Sequence, residues 1–336
     1  MKRNAGAALL ALLSLGVAAC GSSSGGSDDK LVIYSGRSED LVAPLIEKFE
    51  KQADRKVEVR YGNSAELAAT LIEEGENTPA DVFFSQDAGA LGALQKRGLL
   101  APLPQPVLDR VEARWRSREG RWVGTSGRAR IVGYDKRKVR ESELPDTIDG
   151  FTDPKWKGKL GWAPTNASFQ SFVTAYRRLR GDAAAERWLK GIVANQPQRF
   201  EDNEPLRDAL AKGEVEVGFI NHYYVAEAIA EEGPDYPVGV HFTKGGDPGS
   251  LINVAGVAIL KGSEGDEGAE DLVQYLLSKP AQEYFAQETK EYPLTAGVRP
   301  DPNLVPLARI ESPDIDLSDL SDLEGTEKMI QRAGAL

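Results

Sequence analysis

Two adjacent tyrosines, Tyr223 and Tyr224, follow Asn221 and His222 at the end of a β-prone run from Glu214 to Ile220. Neighbouring side chains on a strand point to opposite faces. In the first turn of a helix they stand about 100° apart and can converge on one centre. Asn221 is a favoured N-cap residue, so Tyr223 and Tyr224 are predicted in that first turn. Two phenolates there would make a hard, anionic oxygen pair suited to a hard trivalent cation. A free phenol ionises near pH ~10, so only a strong Lewis acid would hold both ionised at neutral pH. Taken alone, the dipeptide reads more simply as two helix tyrosines packed on a domain surface. Other metal or nucleophile chemistry has little to draw on. The chain has two histidines, His222 and His241, and one cysteine, Cys20. It shows no Ser-His-Asp set, no HExxH and no P-loop. His222 is expected to point away from the tyrosines and to serve structure.

The N-terminus bears on the compartment. Lys2 and Arg3 precede Ala7 to Val17, an apolar run of about a dozen residues that suits a signal peptide and is too short to span a bilayer. It ends in Val17-Ala18-Ala19-Cys20, small residues before a cysteine that resemble the bacterial lipobox. On that reading residues 1–19 are a lipoprotein signal peptide and Cys20 carries the lipid. Residues 20–29, rich in Gly and Ser, form a flexible tether. The competing reading is an ordinary signal peptide with a chance cysteine. Without residues 1–19 the chain has 39 basic and 52 acidic side chains, a formal charge of −13. That balance argues against a nucleic-acid partner. The expected location is extracytoplasmic, anchored to the membrane by lipid.

The elements that must hold the tyrosines follow from periodicity. Strands at Leu31–Tyr34, Val57–Tyr61 and Asp81–Phe84 alternate with helices at Glu39–Gln52, Ser64–Glu74 and Ala88–Arg97. Leu41, Leu45, Ile46 and Phe49 are predicted inward on the first helix, and Ser64 is predicted to cap the second. Gly124 to Tyr134 is extended, Lys159–Trp162 is a short strand and Asn166–Leu179 is a helix. Further helices are predicted at Ala183–Val193 and Pro205–Lys212, and Val254–Leu260 is a strand that returns to the first domain. Trp156, Trp162 and Trp188 are predicted in the core. This pattern predicts an α/β fold with two lobes and the chain crossing between them at least twice. Lobe 1 is expected to span 30–127 plus about 250–305, and lobe 2 to span 128–249 plus about 306–336. Ligands of such folds sit at the carboxyl ends of strands, here in the cleft between lobes.

Eight segments in order resemble the bacterial periplasmic ferric-iron-binding proteins, the transferrin-like receptors of iron(III) ABC importers. They are YSGR at 34–37, PADVFFSQDAGAL at 79–91, TSGRARIVGYD at 125–135, PKWKGKLGWAPTNASF at 154–169, DN at 202–203, KGEVEVGFINHYY at 212–224, DPGS at 247–250 and EYPL at 291–294. The resemblance covers Leu31 to Val298. It implies a two-lobed periplasmic-binding-protein fold of type II and Fe(III) as transported ligand on Tyr223 and Tyr224. It also implies a synergistic anion, carbonate or phosphate, and an ABC permease as partner. The family's anion loop matches Asn166, Ala167 and Ser168, where exposed N–H groups at a helix start would favour an anion. Asn203 and Asn221 match further anion-touching positions. Fe(III) with two tyrosinates leaves one positive charge, which an anion neutralises.

Two positions depart from one branch of that family. Its histidine ligand is replaced by Ser38 and its glutamate ligand by Gln86. Arg37 and one of Arg128 or Arg130 would then hold the anion by charge-assisted hydrogen bonds. Arg128 and Arg130 share a face if extended. Tyr34 and Tyr61 are further oxygen donors to be placed. A monomer is expected. The alternatives are a receptor for an organic solute, such as a polyamine, sugar or phosphonate, in the same fold, and, less well supported, a lipoprotein enzyme.

Overall fold

The computed structural model describes residues 30–336; Cys20 and the Gly/Ser tether lie outside the described residues. The chain opens with β1 (Leu31–Ser35), α1 (Glu39–Ala53), β2 (Val57–Tyr61), α2 (Ser64–Glu74), β3 (Val82–Ser85) and α3 (Ala88–Lys96). β1 and β3 are buried throughout, and β1 runs parallel to both β2 and β3, as the strand–helix alternation requires. α1 turns Val42, Leu45, Ile46 and Phe49 inward. Val42 completes the i, i+3, i+4, i+7 stripe, and Leu41 beside it is only partly buried. α2 is capped by Asn63, whose Oδ1 accepts from the Ala65 N–H at 2.9 Å. Ser64 is therefore the first helical residue and not the cap, and its hydroxyl is free for another role.

A short α4 (Gln105–Leu108) leads to β4 (Val123–Asp135), every residue of which is buried. Beyond it come β5 (Leu160–Trp162), α5 (Ala167–Arg180), α6 (Asp182–Ala194), β6 (Gln198–Arg199) and α7 (Asn203–Lys212). They are followed by β7 (Val217–Asn221), α8 (His222–Glu232), β8 (Val238–His241) and β9 (Ile252–Ile259). The chain then closes with α9 (Glu267–Leu276), α10 (Lys279–Gln287), β10 (Tyr292–Pro293) and α11 (Leu323–Arg332).

The strands follow the order β2-β1-β3-β9-β4-β7-β5-β6, with β10 and β8 also on β4. β4 joins the two halves. Val123 to Ala129 pair antiparallel with β9, and Arg130 to Tyr134 pair antiparallel with β7. Arg128 and Arg130 thus flank the point where the strand exchanges one set of partners for another.

Each half has its own core. Phe83, Phe84, Leu91, Val257 and Phe285 belong to the first. The second is aromatic: the Trp188 ring lies 5.3 Å from Phe172 and 5.8 Å from both Tyr176 and Phe219. Its indole N–H donates to the Ile148 carbonyl at 3.0 Å. Trp156 and Trp162 are buried in the same core. Each large apolar side chain so buried contributes about 1.5–3 kcal/mol relative to exposure. The tail touches both halves: Ile310, Leu317 and Leu320 pack in the first core, Met329 and Ile330 in the second.

Candidate functional site

α8 begins directly after β7, and Asn221 at the junction is extended, with φ −91° and ψ 148°. Its side chain does not cap the helix. Instead Oδ1 accepts from Arg130 Nη1 at 3.4 Å, and Nδ2 has no partner. Tyr223 and Tyr224 occupy the first turn, 0 % and 6 % exposed, with ring centroids 4.1 Å apart. The Tyr223 hydroxyl makes no well-formed hydrogen bond. Burial pushes the Tyr223 phenol up, while the Arg128 and Arg37 charges pull it back in part. Burial and then Tyr223 itself hold Tyr224 well above the usual phenol range. Both are therefore neutral phenols at pH 7, and ionising one opposes ionising the other.

Three buried guanidinium groups face this pair. Arg37 lies in the loop between β1 and α1, which closes tightly on α2. A Cβ on Gly36 would stand 1.9 Å from Ser64 Oγ, so the approach requires glycine. Arg37 Nη2 donates to Glu291 Oε2 at 2.7 Å, whereas its Nε and Nη1 have no partner. Arg128 Nη1 donates to Ser168 Oγ at 3.0 Å and Nη2 donates to the Gln86 carbonyl, leaving Nε unpaired. Arg130 Nη2 donates to the Phe219 carbonyl at 2.6 Å, and its Nε too is unpaired. Burial and then the neighbouring Arg128 lower Arg130 to about 9.

The start of α5 differs from the sequence expectation. Asn166 caps its own helix: Oδ1 accepts from Ser168 N at 3.0 Å and Phe169 N at 3.3 Å. Those two donors are therefore not free for an anion. What the Asn166-Ala167-Ser168 loop still offers is the Ala167 N–H, which the Asn166 side chain does not take, and the buried Ser168 hydroxyl, whose oxygen accepts from Arg128. Asn166 Nδ2 also donates to Asp202 Oδ1 at 2.9 Å, beside Asn203, whose buried Oδ1 is unpaired.

Among the described residues, fourteen buried side-chain polar atoms lack a partner, and eight of them belong to Arg37, Arg128, Arg130, Asn203, Asn221, Tyr223 and Glu291. Buried polar atoms are ordinarily paired, so this clustering marks a site built for a polar ligand. No group of three or more His, Cys, Asp or Glu side chains placed to hold a metal occurs among the described residues. Oxygen from tyrosine is the anionic donor left in the cluster besides Glu291.

A family model for bacterial extracellular solute-binding proteins matches residues 44–307. The chain belongs to that family. This solute-binding protein is 32% identical over 307 residues to the major ferric iron-binding protein of Neisseria meningitidis, covering 90% of this chain and 92% of that one. It superposes on iron-bound HitA from Pseudomonas aeruginosa with a TM-score of 0.86 at 31% identity, covering 91% of this chain and 99% of that one. The Trichodesmium protein solved with iron and citrate gives a TM-score of 0.77 at 32% identity, covering 91% and 99%. The family resemblance and the two-lobed solute-binding fold expected from the sequence agree with these relatives. The chain is a binding protein and not an enzyme.

The remaining candidates of this solute-binding protein are placed elsewhere. Ser38 is exposed, and Gln86 meets the cluster only through its backbone carbonyl. The Tyr34 hydroxyl donates to Glu74 and accepts from Arg60, both at 3.1 Å. Tyr61 is half-buried, its pKa raised by burial and by Glu39 and Glu47. His222 is consumed by backbone hydrogen bonds at both ring nitrogens. An apolar cavity of about 270 Å³ lies behind α8, lined by His222, Ala226, Ile229, Phe242, Tyr292 and Leu304, and neither tyrosine of the pair reaches it. No helix among the described residues is long and apolar enough to cross a membrane.

Two acids were not singled out from the sequence. Glu291 is fully buried beside Arg37. Glu227 lies one helical turn after Tyr223, and burial followed by the Glu291 charge raises it to about 8. Glu291 stands in the EYPL segment, but nothing local distinguishes it from the other acidic side chains. Its burial comes from β10 pairing with β4.

Proposed function

We propose that this protein binds Fe(III) through the phenolate oxygens of Tyr223 and Tyr224, together with a synergistic anion, and delivers it to the permease of an ABC importer. The observation that carries this reading is the cluster of eight unpaired buried polar atoms around two neutral phenols. Fe(III) supplies the driving force to remove both phenol protons. The resulting charge of +1 suits carbonate or phosphate on the unpaired arms of Arg37, Arg128 and Arg130, with Asn203, Asn221 and the Ser168 hydroxyl beside them. Ser38 is exposed and the Gln86 carbonyl is taken by Arg128, so the first lobe contributes arginine in place of a histidine or glutamate ligand. The relatives named for ferric iron, and the pairing of iron with citrate in the Trichodesmium protein, support the same choice of ligand. Lobe 1 and lobe 2 would close on the ligand about β4 and β9.

The test is the visible spectrum of ferric-loaded protein beside Tyr223→Phe and Tyr224→Phe. Wild type should show a tyrosinate-to-iron charge-transfer band, and each variant should lose much of it. Iron affinity should fall by more than the ~10–100-fold typical of residues that only support a ligand. The Tyr223 hydroxyl makes no well-formed hydrogen bond, so the metal-free Tyr223→Phe protein should lose less than about 1 kcal/mol of stability. Absence of the band in wild type, or its full survival in both variants, would replace iron by an organic solute.

Anchoring through a lipid on Cys20 belongs to the same proposal, since a tethered receptor stays near its permease. Cys20→Ala should move the protein from the membrane to the soluble fraction. A wild type that incorporates no labelled palmitate would remove the anchor.

A further inference from the structure

Glu291 is 0 % exposed and lies beside two buried arginines, Arg37 and Arg128. Three segments bring it there. The ladder of β10 on β4 sets Tyr292 opposite Gly127, which places the preceding Glu291 beside Ser126 and Arg128. The loop after β1 delivers Arg37 from the other side.

The two carboxylate oxygens are used unequally. Oε2 accepts from Arg37 Nη2 at 2.7 Å, from Ser126 Oγ at 3.1 Å and from Thr289 Oγ1 at 3.0 Å. Oε1 has no hydrogen bond, and Arg128 Nε stands 3.9 Å from it. Ser126 and Thr289 are neutral, so they fix the carboxylate in place without cancelling its charge. A carboxylate fixed in this way does not swing out when the arginines meet a ligand.

We infer that Glu291 is the positioning residue and resident counter-charge of the arginine cluster: it pins Arg37 by one arm and leaves Arg37 Nε, Arg37 Nη1 and Arg128 Nε to an incoming dianion such as carbonate. The inference rests on the iron-and-anion reading above and names what regulates anion entry at that site. Pinning costs the cluster one arm of Arg37 and spares the remaining arms the loss of side-chain freedom on binding. The same negative charge opposes the incoming dianion, so the two effects have opposite signs. They can be separated by two substitutions.

Bicarbonate is titrated into protein supplied with ferric nitrilotriacetate, and the charge-transfer band reports loading. Glu291→Gln keeps an acceptor for Arg37 and removes the charge; its half-saturating bicarbonate should fall at least threefold. Glu291→Ala releases Arg37; its half-saturating bicarbonate should rise at least threefold, with the band still reached at saturation. Any other pattern overturns the inference: both variants unchanged, both raised in step with a lowered melting temperature, or both lowered. Should Glu291→Ala not fold, Glu291→Gln decides alone, and an unchanged or raised midpoint is fatal. A wild type without the band fails earlier and takes the iron reading down with this inference.

Discussion

His222 shows how tightly single residues around the tyrosine pair are committed. Its Nδ1 accepts from the Ala129 N–H and its Nε2–H donates to the Lys290 carbonyl, both at 3.1 Å. The ring stacks on Tyr292 with centroids 4.7 Å apart. Burial lowers its pKa to about 3, against about 6.5 when unfolded. Between those values the unfolded chain binds a proton that the folded chain does not. Stability of the metal-free protein is therefore full above pH ~6.5 and falls as pH drops towards 3, by up to about 1.4 kcal/mol per pH unit from this group. His222→Gln should flatten that part of the profile. Urea unfolding at pH 7 and pH 5 should show a loss smaller by about 2 kcal/mol in the variant. Equal losses in both proteins would show that His222 does not set the slope. At this scale residue type drew attention to the tyrosine pair, though by itself the dipeptide reads as packing, and Arg37 was legible only through the family resemblance. Glu291 was not legible, because any of the acidic side chains could have been the buried one, and burial depends on β10 pairing far away in sequence.

The elements around the site were legible wherever their periodicity was local. β1 to α3 follow an alternation of strand and helix, and α8 starts where the apolar run of β7 meets a residue suited to an N-cap. Ser64 is not the cap expected of it and Asn221 holds the expected N-cap position without a side-chain bond to its helix; one rule covers the helix starts, that a short polar side chain takes the strongest partner within reach. Asn63 caps α2, so the Ser64 hydroxyl instead accepts from Gln86 N at 2.9 Å. Asn221 faces Arg130 instead of its own helix. Asn166, at a helix start expected to expose N–H groups, takes two of them, those of Ser168 and Phe169. β4 was readable as an extended run, but its exchange of partners between Ala129 and Arg130 was not. That exchange is set by β7 and β9, which lie far along the chain. It also explains why Arg128 and Arg130 reach different surroundings despite sharing a face: Arg128 meets Ser168 and Gln86, and Arg130 meets Asn221 and Phe219.

For the whole molecule, polar contacts join the two halves beside the shared strands and the apolar tail. Ser171 of α5 donates to Asp87 Oδ1, at the cap of α3, at 2.9 Å, and Arg128 reaches Ser168 across the same boundary. The tail adds a strap: Leu317–Ser321 lies along α3, where a Cβ on Gly92 would stand 3.0 Å from Ser321, and α11 then packs on the second core. A receptor that closes by a hinge needs such contacts to be weak, so that ligand free energy decides the state. Ser171→Ala tests whether this one contributes. Asp87 would keep its bonds from Gly89 N at 2.8 Å and Ala90 N at 3.2 Å, so no buried charge is orphaned and folding should be nearly unchanged. The halves would lose one hydrogen bond to a charged group, worth about 1.5–3 kcal/mol. That shifts an open–closed equilibrium by roughly tenfold to 150-fold. Small-angle scattering of the metal-free variant should therefore give a larger radius of gyration than metal-free wild type. Saturating ferric iron and bicarbonate should bring the two curves together, because the ligand then supplies the closing free energy. Identical curves without metal would mean that the Asp87–Ser171 bond follows closure and does not bias it, leaving the arginine contacts at β4 and the C-terminal strap as the elements that set the angle between the lobes.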